Sequence, residues 1–329
     1  MEVYHPTKLP FEIKLLNEIG DLLRNAENVI IISHKSPDGD AIGANLALKH
    51  ALEQWDVKVV SACADPPPEY AFVLPGSYEY VNDFDLNNFD LAIAVDCGAH
   101  YLMKFHETKP ELMAGKIPLI NIDHHPSNDQ FGTHNLVHDT AAATSFILYH
   151  YLRYLGFHIT HEIATCLLMG LYYDTGSFMH SNTSRDVLET AADLLNKGAD
   201  FKKIVKPMFQ TTPVNQLKLW GRVMTRARLT SKKAIVSAVT EQDLIECDAK
   251  PDDLSGVIDL LNSVPESKFS ILLSETEHGA IKGSLRTQDD QIDLSKLAAL
   301  FGGGGHKKAA GFTMPGRLRQ ETHWKITND

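Results

Sequence analysis

Acidic and imidazole side chains follow three short apolar segments of the sequence. The motif HKSPDGD comes after Val29–Ser33, DCG comes after Leu91–Val95, and DHHP comes after Pro118–Ile122. A fourth acid, Asp174, ends a helical pattern. Such groups repel and desolvate one another unless a cation compensates them. Oxygen and imidazole ligands without a thiolate suit Mn²⁺ or Mg²⁺ better than a structural Zn²⁺. The set therefore predicts a divalent-metal site, although any single acid, such as Asp40, could instead be only a helix N-cap.

The elements around these motifs predict an α/β fold. Short β-branched runs alternate with helical patterns through about the first 200 residues, which is typical of a mostly parallel sheet with helices on both faces. A further strand is predicted at Val57–Ser61. Helices are predicted at Phe11–Asn25, Ala41–Gln54, Ala141–Leu155, Glu162–Tyr173 and Arg185–Lys197. Because strand carboxyl ends line one crevice in such sheets, the acids and histidines should converge.

A smaller α/β unit is predicted for the second part of the chain. We expect a first domain at residues 1–212, a connecting helix or linker at 213–230 and a second domain at 231–329. Helices are predicted at Asn215–Arg228, Asp252–Asn262 and Leu294–Leu300. Strands are predicted at Ala234–Val239, Lys268–Glu275, Ala280–Arg286 and Gly311–Met314. The tail Pro315–Asp329 lacks apolar periodicity, and we expect it to be loosely held.

A run of four glycines precedes His306 in this second part. Glycines such as Gly303, Gly304 and Gly305 allow backbone N–H groups to approach an anion closely. Most glycine runs are plain loops, so the signal is weak alone. The preceding segment IKGSLR, which ends at Arg286, strengthens it, because the planar guanidinium of arginine matches phosphate geometry.

Taken in order, these motifs resemble those of the DHH phosphoesterase family. The resemblance covers about residues 11–314, and GSLR with GGGGH is similar to the DHH-associated substrate domain. By this resemblance one ion is held by His34, Asp38 and Asp96, and a second by Asp40, Asp96, His124 and Asp174. Asp96 would bridge both ions and Asp123 would orient a histidine. His125 would face the scissile phosphate, and Arg286, the glycine turn and His306 would grip a substrate phosphate.

Length and layout are similar to the NrnA-like group of the family, whose members degrade nanoRNA and dephosphorylate 3′-phosphoadenosine 5′-phosphate. The resemblance implies two-metal hydrolysis of these short nucleotides and of linear dinucleotides by a bridging hydroxide, with Mn²⁺ as the ion and Mg²⁺ or Co²⁺ as alternatives. Its catalytic residues would be Asp96, Asp123 and His125. Three sites depart from the group's pattern without touching an expected ligand, namely Cys97, Phe146 and Met179-His180. They leave the preferred substrate open.

Other functions fit the sequence less well. A cyclic-dinucleotide phosphodiesterase or a single-strand exonuclease remains an alternative. A pyrophosphatase shares the metal motifs but has a different second domain. A non-enzymatic nucleotide-binding regulator is least favoured, because no expected metal ligand is missing.

Composition limits the partners. Residues 1–210 contain 15 Lys and Arg against 27 Asp and Glu, whereas the remaining residues contain 16 against 15. An acidic first unit is a poor surface for long duplex nucleic acid, so we expect a short oligonucleotide or nucleotide substrate. The four cysteines form no CxxC pair, which favours a reducing, cytoplasmic location. No apolar run approaches the roughly 20 residues that span a membrane, so we expect no membrane partner. A homodimer is left open.

Overall fold

The computed structural model describes residues 10–209, 212–276, 279–305 and 307–319. The chain divides into two compact units, Met1–Gln210 and Thr211–Asp329. No helix within these described ranges is long and apolar enough to cross a membrane. The finer division into two domains and a connecting segment stays a prediction.

The first unit is built on a parallel sheet. Its strands are β1 (Asn28–Ser33), β2 (Lys58–Ala62), β3 (Leu91–Val95), β4 (Leu119–Asp123) and β5 (His134–Val137), in the spatial order β2-β1-β3-β4-β5. Every pairing is parallel, so the predicted sheet is confirmed. The sequence did not indicate β5, because this short edge strand reads HNLV and only Leu136 is fully buried.

Helices cover both faces of this sheet. They are α1 (Ile13–Asn25), α2 (Gly39–Glu53), α3 (Phe105–Thr108), α4 (Pro110–Met113), α5 (Thr144–Tyr154), α6 (His161–Asp174), α7 (Arg185–Asn196) and α8 (Phe201–Phe209). Ile31 and Ile93 belong to the core formed with α1, α2, α5, α6 and α7. Ile30 and Ala92 point the other way, into a core with α3 and α4. The strands are therefore buried on both sides, which is why they read as continuous apolar runs.

Two helices of the first unit begin where an acid of the predicted site accepts hydrogen bonds from their free amides. Helix α2 begins after Asp38, whose carboxylate accepts hydrogen bonds from the amides of Asp40 and Ala41 at 3.0 and 3.1 Å. Helix α5 begins at Thr144, three residues later than the predicted start, because Asp40 accepts its amide. Both starts place acids of the predicted site at helix N-termini, where negative charge is favoured.

The second unit contains a mixed sheet. Its strands are β6 (Arg228–Leu229), β7 (Ala234–Val239), β8 (Phe269–Glu275), β9 (Ala280–Arg286), β10 (Gly304–Gly305) and β11 (Ala309–Pro315), in the order β10-β11-β9-β8-β7-β6. Only β7 and β8 pair in parallel among these strands. Its helices are α9 (Val214–Arg226), α10 (Glu241–Cys247), α11 (Val257–Asn262) and α12 (Leu294–Ala299).

Helix α9, predicted as a connecting element, packs within the second unit. Its residues Leu219 and Val223 share a core with Ile235 of β7 and Leu244 of α10. The single helix predicted at Asp252–Asn262 is wrong in its first half. A 3₁₀ turn at Pro251–Leu254 precedes α11, since Gly256 adopts the left-handed φ of +83° and breaks the helical path. Residues 320–329, most of the predicted loose tail, lie outside the described residues.

Candidate metal centre

The predicted ligands lie together at the carboxyl edge of the first sheet. His34 follows β1, Asp96 follows β3, and β1 and β3 are neighbours at the point where the strand order reverses. Ligand sites in open α/β sheets occur at such a switch point. Three groups have potential ligand atoms within 4.8 Å of one another: His34, Asp38 and Asp96; Asp40, His124 and Asp174; and Asp96, His124 and His125. Asp96 thus belongs to two of the groups.

Two histidines are oriented by the backbone. His34 Nδ1 lies 2.6 Å from the carbonyl of Lys35, and His124 Nδ1 lies 3.2 Å from the carbonyl of Ala141. With a proton on Nδ1 donated to each carbonyl, both Nε2 atoms are left as acceptors inside the cluster. His124 Nε2 is buried and makes no hydrogen bond within the described ranges, although it lies 3.0 Å from Asp174 Oδ2. A buried nitrogen without a donor, facing a carboxylate, fits a metal ion.

Asp96 lies at the centre of the cluster in a rare backbone conformation. Its φ is +58°, in the left-handed region that aspartate tolerates better than most residues. Its carboxylate is only 2% exposed, and the hydroxyl of Thr144 donates to Oδ1 at 2.9 Å. The imidazole nitrogens His34 Nε2 and His124 Nε2 lie 3.6 and 3.5 Å from its two oxygens. The fold therefore holds one carboxylate between two imidazoles.

Asp40 is fully buried against the start of α5. Its two oxygens accept the amides of Thr144 at 2.6 Å and Ser145 at 3.0 Å. Gly170 of α6 permits this approach, because a Cβ there would lie 2.3 Å from Asp40 Oδ1 and 2.1 Å from the hydroxyl of Ser145. A helix terminus thus compensates part of the negative charge before any ion is considered.

The side chain of His125 is partly exposed, and a hydrogen bond to Asp123 fixes its orientation. Its Nδ1 lies 2.8 Å from Asp123 Oδ1, and its side chain is 42% exposed. The other carboxylate oxygen of Asp123 accepts from the Asn128 amide at 2.6 Å. Asn128 also donates to the carbonyl of Cys97 at 3.1 Å. Because the Asp123 carboxylate occupies Nδ1, the Nε2 atom of His125 is left for another partner.

The charges of the cluster are unbalanced without cations. Burial and the carboxylates of Asp96 and Asp174 raise the pKa of Asp38 to about 6. Burial acts to lower the pKa of His34 and His124, but neighbouring carboxylates, Asp96 for the first and Asp174 for the second, outweigh it and raise the pKa to about 9 and about 10. Burial alone would raise the pKa of Asp96, yet these imidazoles lower it. Protons bound to these side chains therefore compensate negative charge that divalent cations can compensate instead.

The described residues among those predicted to bind phosphate lie at one end of the second sheet. Arg286 ends β9, pairs in register with Ala309 of β11, and has a side chain that is 38% exposed. Its Nε lies 3.6 Å from Asp259 Oδ1. Gly304 and Gly305 form β10 beside β11. His306 lies outside the described residues.

The three glycines of this turn differ in what they require. A Cβ at Gly303 would lie 2.2 Å from the carbonyl of Gly311, and Gly305 has a φ of +136°. At Gly304 an added Cβ would meet no atom within 4 Å, and the residue is exposed. Packing explains the glycine at Gly303, and backbone conformation explains the one at Gly305. Neither explains Gly304.

Sequence reasoning missed three residues of the metal centre, namely Thr144, Ser145 and Asn128. Thr144 hydrogen-bonds Asp96 and Ser145 hydrogen-bonds Asp40, and both acids are far away in the sequence. Asn128 hydrogen-bonds Asp123, from which a short loop separates it. We expected that the residues departing from the group's pattern touch no metal ligand. This is wrong for His180, because its Nδ1 lies 3.3 Å from the backbone carbonyl of Asp174. The turn after Asp174 bends His180 back onto it. Phe146 and Cys97 are buried, and Met179 is exposed.

Comparisons with known proteins agree with this geometry. The model of the DHH family, N-terminal domain, matches residues 28–171, and that of the DHHA1 domain matches residues 231–323. The bifunctional oligoribonuclease and PAP phosphatase NrnA of Thermus thermophilus is 32% identical over 303 residues, which cover 91% of this chain and 88% of that protein. The NrnA of Mycoplasma genitalium is 26% identical, covering 90% of this chain and 91% of that one.

A crystal structure has the same fold. It is that of an exopolyphosphatase-related protein from Bacteroides fragilis, which is 26% identical, with a TM-score of 0.82 and coverage of 93% of both chains. The family models, the similarity to NrnA proteins and the clustered ligands agree. The chain belongs to the DHH family, carries a DHHA1 domain, and is a hydrolase of phosphate esters.

Proposed function

We propose that this hydrolase is a metal-dependent phosphoesterase of short nucleotides, acting on nanoRNA, linear dinucleotides and 3′-phosphoadenosine 5′-phosphate. The observation that carries the proposal is the buried cluster around Asp96, in which His124 Nε2 makes no hydrogen bond within the described residues and faces carboxylates. The NrnA relatives are named for oligoribonuclease and PAP phosphatase activities, which supports this choice of substrates.

The residues fit two divalent ions, for which we propose Mn²⁺, with Mg²⁺ or Co²⁺ as alternatives. One ion would be held by His34, Asp38 and Asp96, and the other by Asp40, Asp96, His124 and Asp174. Such ions, when bound, acidify water and stabilise the charge of a transferring phosphoryl group. The protein's contribution is a set of donors held in place by the Lys35 and Ala141 carbonyls and the α5 amides.

His125 is the catalytic side chain that the substrate can reach. The hydrogen bond that His125 Nδ1 donates to the Asp123 carboxylate is the main cause that raises the pKa of His125, which favours the protonated imidazole. Its Nε2 can then donate to a phosphate oxygen or to the leaving group. Asp123 and Asn128 orient the ring through this chain of hydrogen bonds.

Arg286, the glycines 303–305 and His306 would bind a substrate phosphate in the second unit. The exposed arginine and the open space at Gly304 support this role. The acidic balance of residues 1–210 supports short substrates, because each further phosphate contact needs its own Lys or Arg. The buried free cysteines support a reducing, cytoplasmic location.

A substrate panel tests the proposal. The full chain with Mn²⁺ is assayed on 5′-labelled oligoribonucleotides of two to 20 residues, 3′-phosphoadenosine 5′-phosphate, and linear and cyclic dinucleotides, at two salt concentrations. We expect the highest kcat/KM at about two to five nucleotides and a weak dependence on salt.

Equal or better rates on 20-mers, with a steep salt dependence, would instead indicate a processive exonuclease. Preference for the cyclic dinucleotide would indicate a cyclic-dinucleotide phosphodiesterase. No hydrolysis of any nucleotide, with metal bound, would refute the proposal.

A further inference from the structure

A cavity of about 700 Å³ lies beside the metal centre in the first unit. Two of its lining residues contact the segment that carries His34 and Asp38. Asp65 Oδ2 accepts the amide of Ser36 at 2.8 Å, and Cys63 Sγ donates to the carbonyl of His34 at 3.1 Å. The cavity therefore borders the segment that carries two of the proposed ligands, and its volume is that of a small-molecule site.

An exposed aromatic ring lines this cavity. Tyr78 is 76% exposed, and its ring stacks on Phe72 with centroids 4.7 Å apart and planes 11° apart. Phe72 supports one face of Tyr78, so a flat ligand can stack on the other face. Isolated exposed aromatic side chains are common, but this one has a fixed support and a cavity beside it.

The backbone around Tyr78 is held on both sides. The hydroxyl of Ser77 donates to the carbonyl of Leu74 at 2.7 Å, and Glu79 pairs with the buried amine of Lys49. The amide of Val81 then donates to Ser61 of β2 at 2.9 Å. The ring is thus presented by an ordered segment, which lowers the entropy that a ligand must overcome on binding.

The charge of the cavity selects against phosphate. Its described lining contains no lysine or arginine and includes two carboxylates, Asp65 and Asp83, of which Asp83 pairs with Lys109 beyond the lining. A flat, uncharged, hydrogen-bonding group fits such a wall, since every nucleobase has a face that stacks on an aromatic ring. The Asn82 amide can pair with the edge of a base.

We propose that Tyr78, backed by Phe72, is a stacking platform for one nucleobase of the substrate. This inference rests on the proposed nucleotide substrates and adds a site that recognises the base rather than the phosphate. Tyr78 is then a specificity-determining residue, and it takes no part in hydrolysis.

The test compares a dinucleotide with its abasic analogues. The Mn²⁺-loaded full chain is assayed on a linear dinucleotide and on two analogues that each lack one base. Stacking is worth about 1–3 kcal/mol per base, so Tyr78→Ala should lower kcat/KM for the dinucleotide about 5- to 150-fold, mainly through KM. For the analogue that lacks the stacked base, the wild type and Tyr78→Ala should be equal. Tyr78→Phe, which keeps the ring, should match the wild type.

The control is Tyr154→Ala, at the far end of α5, about 15 Å along the helix from Thr144. It should leave all three substrates unaffected. An unchanged KM for Tyr78→Ala would refute the stacking role of Tyr78. An equal loss of kcat/KM on the dinucleotide and on both abasic analogues would refute it as well. Failure of the wild type on every nucleotide would instead refute the proposed function, so the two failures are distinguishable.

Discussion

The carboxyl edge of the first sheet and the glycine turn of the second unit are both suited to anion chemistry, but they are constructed differently. At the first, Asp40 and Asp96 are buried and accept hydrogen bonds from the start of α5. At the second, Arg286 is partly exposed and Gly304 has open space around it. A site fixed by buried contacts suits chemistry that tolerates little misplacement. An exposed site suits binding, where side chains can adapt.

The largest expected effect is at the buried site. Asp96→Asn keeps a residue that tolerates the left-handed backbone but removes the charge shared by two ligand groups. Activity should fall by about 10³-fold or more, because metal ions supply several kcal/mol of transition-state stabilisation. Metal content and turnover would be measured together. Near-normal turnover of the folded variant would refute the shared-ligand assignment.

The next effect is at the exposed site and should differ in kind. Arg286→Ala should raise KM about 30-fold or more, as expected when a charged pair worth about 2–5 kcal/mol is lost. The bound metal and kcat should change little. Lys282→Ala is the matched control, because Lys282 lies on the same face of β9, four residues away. An unchanged KM for every nucleotide, or an equal effect of both variants, would remove the binding role of Arg286.

A smaller effect should come from a residue that supports the buried site. Thr144→Val removes the hydroxyl that donates to Asp96 Oδ1 and keeps the side-chain volume. Loss of such a supporting contact typically lowers metal affinity or activity about 10- to 100-fold. Thr165→Val is the control, because this buried threonine bonds the carbonyl of His161 instead. If both variants showed the same activity, the hydroxyl of Thr144 would have no role in orienting Asp96.

The smallest effect should be on stability alone. In the second unit Asp243 is buried, and Arg226 with the Thr240 cap outweighs burial and lowers the pKa of Asp243 to about 2. A lowered folded-state pKa contributes stability above about pH 4 that is lost as the pH falls towards 2. Asp243→Asn should therefore cost about 2 kcal/mol at pH 7 and less near pH 3.

Hydrogen exchange of the α10 amides, measured at both pH values, would report this loss. A control assay at neutral pH should show unchanged kcat and KM for the folded Asp243→Asn protein. A cost that is the same at pH 3 and pH 7 would contradict the assigned ionic role.

The sequence predicted the elements that carry the metal centre better than the contacts that complete it. Leu91–Val95 was predicted with its observed bounds, because a buried strand is a continuous apolar run followed by polar residues. Thr144 and Asn128 gave no such signal, since Thr144 meets Asp96 only when distant segments pack together, and Asn128 meets Asp123 only through the fold of the loop between them. The sequence analysis also gave no helix at α10, which spans seven residues.

The hydrogen bonds between Asp40 and the start of α5 join residues 104 and 105 positions apart. At typical rates of synthesis, about 5–20 residues per second, Asp40 is synthesised roughly 5–20 seconds before Thr144. During that interval its carboxylate has neither amide and cannot be buried without a large cost in solvation. Helix α2 should therefore settle onto the sheet only after α5 has emerged. A nascent chain arrested before residue 144 should expose the α2 segment to proteases and chaperones.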